Sequence, residues 1–167
     1  MIKFKNTIFI ISLVSIIFIV TSFIIQINIK KEKNISLGKK DLSKVILLDF
    51  NNNPIKALDL LKNPSVIFFG FTNCPDICPL TLTKLSITLQ KIKDNKNLII
   101  YFVSLDPERD KPEILKNYLQ PFKEQVVGLT GSQYNLKKFA DYLKIKYYKR
   151  KIKDGYTIDH TSSSILM

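Results

Sequence analysis

Hydrophobic residues fall into one long block near the start of the chain and then a series of short runs separated by polar breaks. The block, residues 7–29 (TIFIISLVSIIFIVTSFIIQINI), carries no charged side chain. At about 1.5 Å per residue it spans about 34 Å as a helix, enough to cross a bilayer. A cleaved signal peptide is the competing reading, but its apolar stretch runs only about 7–15 residues and ends in a small-x-small site. Neither condition holds, so an uncleaved transmembrane anchor is expected, preceded by a short flank over 1–6. Lysines stand on both sides of the block (Lys3 and Lys5; Lys30, Lys31 and Lys33), so the positive-inside bias nearly cancels and leaves the orientation open.

Residues 30–44 turn polar and basic around Gly38 and predict a tether. From 45 onward short apolar runs alternate with helical periodicities. Val45 to Phe50 reads as a strand closed by Asn51-Asn52-Asn53-Pro54, with a helical or looped piece around Ala57 to Leu61. Ser65 to Thr72, rich in Val, Ile and Phe, reads as a buried central strand. Pro79 permits a helix start, and Leu82, Leu85, Ile87, Leu89 and Ile92 mark an apolar face on a helix running to about Lys93. Leu98 to Leu105 predicts a third strand broken at Asp106-Pro107, Lys111 to Leu119 a helix, Val126 to Thr130 a strand and Tyr134 to Leu143 a helix. The segments Ile145 to Lys153 and Tyr156 to Met167 flank Asp154-Gly155, a hairpin signal. This order implies an α/β domain with a parallel-dominated sheet, in outline thioredoxin-like, over residues 45–167. No internal repeat is visible.

Composition changes this picture little. The net charge of +12 raises nucleic-acid binding, but only Arg109 and Arg150 are arginines, the side chain best suited to phosphate and base contacts. The positives are lysines scattered through Ile- and Asn-rich sequence, a solvated basic surface, and no nucleic-acid partner is expected.

The candidate chemistry lies in Phe69 to Pro79 (FGFTNCPDICP), at the C-terminal end of the central strand, where open α/β sheets bind ligands. Cys74 and Cys78, four apart and each followed by proline, fit poorly as two independent buried hydrophobes. The helix start behind them is expected to favour thiolate over thiol. One helical turn separates residues by about 6 Å, so both a disulfide and a two-sulfur metal chelate are within reach. Three intervening residues, against two in a thioredoxin-type redox pair, weaken the case for a pure disulfide catalyst. Two thiolates can hold Cu(I) linearly, and an imidazole would complete a trigonal set. His160 is the chain's one histidine. It lies beyond the predicted turn on a segment able to fold back over the sheet end, with Asp159 beside it to orient the ring or shape its field. Zinc, which prefers four ligands, finds no third cysteine or second histidine.

The cysteine segment, together with Val103 to Asp110 (VSLDPERD), Gly128 to Gly131 (GLTG) and Tyr156 to Thr161 (YTIDHT), resembles the Sco (SenC) family of copper-binding cytochrome c oxidase assembly factors. The resemblance runs from about Val45 to the end. It implies a thioredoxin-like fold behind an N-terminal anchor and a domain on the periplasmic or mitochondrial intermembrane-space side. It also implies a copper ion held by Cys74, Cys78 and His160, with the two cysteines able to cycle between dithiol and disulfide. Family members continue past the His-bearing segment through another strand, a turn and a terminal helix, so the strand after His160 is expected to be cut short and the covering helix missing. No metal role is expected for Asp106 to Asp110, read as a loop with a helix-capping acid.

The resemblance leaves three functions open: a metallochaperone serving the dinuclear copper centre of the oxidase's copper-bearing subunit, a thiol:disulfide oxidoreductase keeping that target's cysteines reduced, and a copper or redox sensor. A peroxidase is disfavoured, because no Thr-x-x-Cys peroxide pocket leads into Cys74.

Overall fold

The computed structural model describes residues 13–30, 41–92, 98–122, 124–161 and 164–167. The chain divides into two compact units, Met1–Lys40 and Asp41–Met167. Helix α1, Leu13–Lys30, belongs to the first; it is long and apolar enough to cross a membrane, and its large hydrophobic side chains are exposed. Residues 7–12 of the apolar block and 31–40 of the expected tether lie outside the described residues.

The second unit runs β1 (Ile46–Asp49), β2 (Pro54–Lys56), β3 (Ser65–Gly70), α2 (Ile77–Lys91), β4 (Ile99–Ser104), α3 (Pro112–Tyr118), β5 (Val126–Thr130), α4 (Gln133–Tyr142), β6 (Tyr147–Ile152), β7 (Gly155–His160) and β8 (Ser164–Leu166). Its core reaches back to Leu42, inside the stretch expected as tether. A six-stranded sheet has the order β2-β1-β5-β4-β3-β8, and β6 and β7 form a separate two-stranded sheet.

Only the centre of the larger sheet, β5-β4-β3, is parallel; β2, β1 and β8 all join antiparallel. The expectation of a parallel-dominated sheet is corrected at both edges. At one edge the asparagine turn does more than end β1. Asp49 accepts hydrogen bonds from the Asn51 and Asn53 backbone N–H groups and the Asn53 side chain, at 2.7, 2.8 and 2.9 Å. Asn52 sits at φ 66, and this bracket folds the chain straight back as β2. At the other edge β8 pairs with Val66 to Phe68 of β3 over three residues.

Alternation along β3 builds two cores, one on each face of the sheet. Ile67 and Phe69 point to the side covered by α4, where they pack with Leu136, Phe139 and Ala140. Val66 and Phe68 point to the other side, against Leu82 and Leu89 of α2 and Leu115 of α3. Helix α2 begins at Ile77, before Pro79, so Cys78 lies in its first turn. Its buried face is Cys78, Leu82, Ser86 and Leu89, while Ile87 and Ile92 of the expected apolar face are exposed. Helix α4 starts where the Ser132 hydroxyl accepts from the Asn135 N–H at 3.2 Å.

The hairpin forms as the Asp-Gly signal suggests, shifted by one position. Ile152 pairs with Gly155, so Lys153 and Asp154 make the turn, and Gly155 follows at φ +124, which only glycine adopts readily.

Candidate metal centre

Strand β3 ends at Gly70, and the next eight residues carry both cysteines. A side chain on Gly70 would place its Cβ 2.9 Å from the Cys78 sulfur and 2.8 Å from the Phe102 ring, so the missing side chain makes room for that sulfur. Cys78 is fully buried and Cys74 half-buried; both are free thiols, joined by a side-chain hydrogen bond. Burial pushes the Cys78 thiol up to about 12, outweighing a hydrogen bond from the Phe71 backbone, and Cys74 adds to the rise. The expectation that the helix start favours a thiolate is therefore corrected for Cys78. Desolvation of the buried sulfur exceeds what the Phe71 bond returns.

Phe71 links the three residues singled out from the sequence. Its carbonyl accepts from the Cys74 N–H at 3.2 Å, its backbone bonds the Cys78 sulfur, and its ring meets His160 edge-on at a centroid distance of 6.2 Å. His160, half-buried, closes β7 opposite Tyr147. The structure thus joins Cys74 to Cys78 and sets His160 against the ring of Phe71, whose backbone contacts both cysteines. Among the described residues no group of three or more His, Cys, Asp or Glu side chains stands at metal-binding spacing.

The donor chemistry nevertheless suits a soft metal. His160 Nδ1 lies 3.1 Å from the Thr161 carbonyl, which can only accept. In the neutral ring that contact places the proton on Nδ1 and leaves the Nε2 lone pair as the available donor. Asp159 makes no hydrogen bond to this ring and acts on it only through its charge. Alternation along β7 turns it to the opposite face, where it pairs with Arg150 at 2.7 Å.

The VSLDPERD segment contributes what the sequence reading dismissed. Asp110 caps no helix: α3 is preceded by Lys111 with no side-chain cap. Instead Asp110, fully buried, accepts from the Thr72 N–H and hydroxyl at 3.0 and 2.5 Å and from the Ser104 hydroxyl at 2.6 Å. Burial raises its pKa, while the bonds from Ser104 and Thr72 pull the other way. Asp110 thus pins the loop that leads into Cys74. Asp106, also fully buried, pairs with Arg109 and accepts from the Tyr156 hydroxyl at 2.8 Å. The sequence signal for both was an acid pair immediately after a buried strand, where an unpaired carboxylate is not tolerated.

Comparison with known proteins places the chain among relatives. The SCO1/SenC family model matches residues 42–167. A SCO2-like protein of Rickettsia typhi is 36% identical over 146 residues, 85% of this chain and 70% of that protein. Among solved structures, copper-bound ScoI of Bradyrhizobium japonicum superposes with a TM-score of 0.68 at 38% identity, covering 74% of this chain and 80% of that one. Copper-bound ScoI of Arabidopsis thaliana gives 0.67 at 34% identity, covering 73% and 78%. These thioredoxin-like structures share the mixed α/β architecture of the second unit.

Proposed function

The chain belongs to the SCO1/SenC family, and from that premise we propose that it is a membrane-anchored copper metallochaperone acting in assembly of the dinuclear copper centre of cytochrome c oxidase. Copper is its cargo, held by Cys74, Cys78 and His160. The observation that carries this reading is the contact between Cys74 and Cys78 at the end of β3, with Phe71 linking the pair to His160. Soft thiolates select Cu(I), and a free imidazole nitrogen supplies a third donor. Binding releases the thiol protons, including the one that burial holds on Cys78. Completing the set requires His160 to approach the sulfurs, and three donors leave the metal open to attack by an incoming ligand, as transfer needs. In this reading α1 anchors the protein and the folded unit faces the periplasm or the intermembrane space.

The unequal exposure of the two sulfurs supports a second reading. Cys74, the accessible one, attacks a disulfide on the target to form a mixed disulfide. Cys78 then displaces the target thiol, leaving Cys74–Cys78 oxidised and the target reduced.

Copper(I) titration of the reduced protein against a chromophoric chelator tests the first reading. One copper per chain is expected, with His160→Ala weakening binding while disulfide formation persists; unchanged affinity in that variant removes His160 from the set. Incubating the copper-loaded and the metal-free dithiol forms separately with the oxidase's copper-bearing domain ranks the two readings, by metal transfer without cysteine oxidation or by thiol exchange without metal.

A further inference from the structure

The hairpin that bears His160 shares no strand pairing with the six-stranded sheet among the described residues, so side-chain contacts, with the chain's run into β8, place it. Along β7, Tyr156, Ile158 and His160 lie on one face, and Ile158 is buried in the α4-side core. Tyr156, four residues ahead of His160, meets a cluster built on the loop after β4. The Arg109 Nε pairs with the buried Asp106 carboxylate, and Arg109 Nη1 donates to the Tyr156 carbonyl at 3.0 Å. The guanidinium lies 3.9 Å from the centre of the Tyr156 ring, and the Tyr156 hydroxyl donates back to Asp106 at 2.8 Å. These contacts close a loop of interactions through three residues. The same segment holds the cysteine loop, one residue further on, through Asp110 and Thr72.

We infer that Arg109, acting with Asp106 and Tyr156, is a positioning residue for His160: it fixes the β7 strand, and with it the imidazole, against the body that carries Cys74 and Cys78. The inference rests on the copper-binding reading of those three residues. Its physical basis is the shape of the guanidinium. One planar cation neutralises Asp106, bonds a backbone carbonyl of β7 and stacks on a β7 ring, and a lysine ammonium cannot do all three. Asp106 keeps an opposite charge when lysine replaces arginine, so that change loosens the hairpin without leaving a buried carboxylate unpaired. An ion pair serving only the loop would affect copper binding and cysteine chemistry alike, whereas positioning acts through His160 alone.

The test is a double-mutant cycle on the full chain in detergent, reading copper(I) affinity by chelator competition in wild type, Arg109→Lys, His160→Ala and the double variant. Arg109→Lys is expected to weaken copper(I) about tenfold, the scale of outer-shell changes at metal sites. In the His160→Ala background the same change is expected to cost nothing further, and the reduction potential of the Cys74–Cys78 disulfide is expected to stay at the wild-type value. Tyr156→Phe, which keeps the ring and removes the hydroxyl bonds to Asp106 and, at 3.3 Å, to Glu108, should give a smaller loss of the same kind and serves if Arg109→Lys fails to fold. An equal loss with and without His160, a shifted disulfide potential, or unchanged affinity in both variants overturns the positioning role. Unchanged affinity in His160→Ala alone overturns the three-donor reading, and the role of Arg109 with it.

Discussion

The sulfur of Cys78 is where chemistry and folding compete most directly. Its pKa is raised to about 12 by burial, above the unfolded value of about 8.5. A group whose folded pKa is raised stabilises the fold fully below its unfolded pKa, and that stabilisation is lost as pH climbs through the folded value. The reduced, metal-free protein is therefore expected to be less stable at pH 10 than at pH 8, by denaturant titration at each pH, and Cys78→Ala should flatten the difference. Unequal exposure adds a second expectation: iodoacetamide at neutral pH labels Cys74 first, and mass spectrometry under native conditions should show a singly modified chain. Tyr118 offers a different case. Its hydroxyl is buried without a hydrogen-bond partner among the described residues, so Tyr118→Phe should leave stability unchanged or raise it by about 1 kcal/mol in thermal unfolding.

At the scale of elements, the site depends on how β3 and β4 end. Gly70 lets α2 lay Cys78 against the strand, and any side chain there meets both the sulfur and Phe102. Gly70→Ala is expected to destabilise the fold by about 1–3 kcal/mol, the usual cost of overpacking, and to displace the cysteine pair. Asp110 ties the loop after β3 to the end of β4 through three donors. Replacing it with alanine leaves those donors unpaired in a buried place, and a loss of about 3 kcal/mol in urea unfolding is expected. These elements were legible in the sequence because their patterns are local. The uniform burial of β3 showed in Ser65 to Thr72, and the periodicity of α4 showed in Tyr134 to Leu143, though not its Ser132 cap. Strand β2 was not legible, because a three-residue edge strand has too short a pattern to stand out and is formed by the Asp49 bracket.

For the molecule as a whole, the folded unit from Asp41 to Met167 has cores on both faces of its sheet, and α1 belongs to the other unit. A chain lacking residues 1–40 is expected to stay soluble and folded by circular dichroism, whereas the full chain should remain in the membrane pellet after a carbonate wash. Taken alone, the sequence determined the apolar block, the α/β order of elements, the pairing of Cys74 with Cys78 and the candidacy of His160. Each of these rests on spacing within a few residues or on a motif read in order. Only the tertiary structure decided that Asp106 and Asp110 frame the cysteine loop and the hairpin, that Asp159 pairs with Arg150, and that burial raises the Cys78 pKa. Those outcomes depend on which groups are sealed from water together, across separations such as the 38 residues between Thr72 and Asp110 or the 50 between Asp106 and Tyr156. Burial of a charge or a polar group is settled by the partners that folding brings to it, and a linear pattern does not contain them.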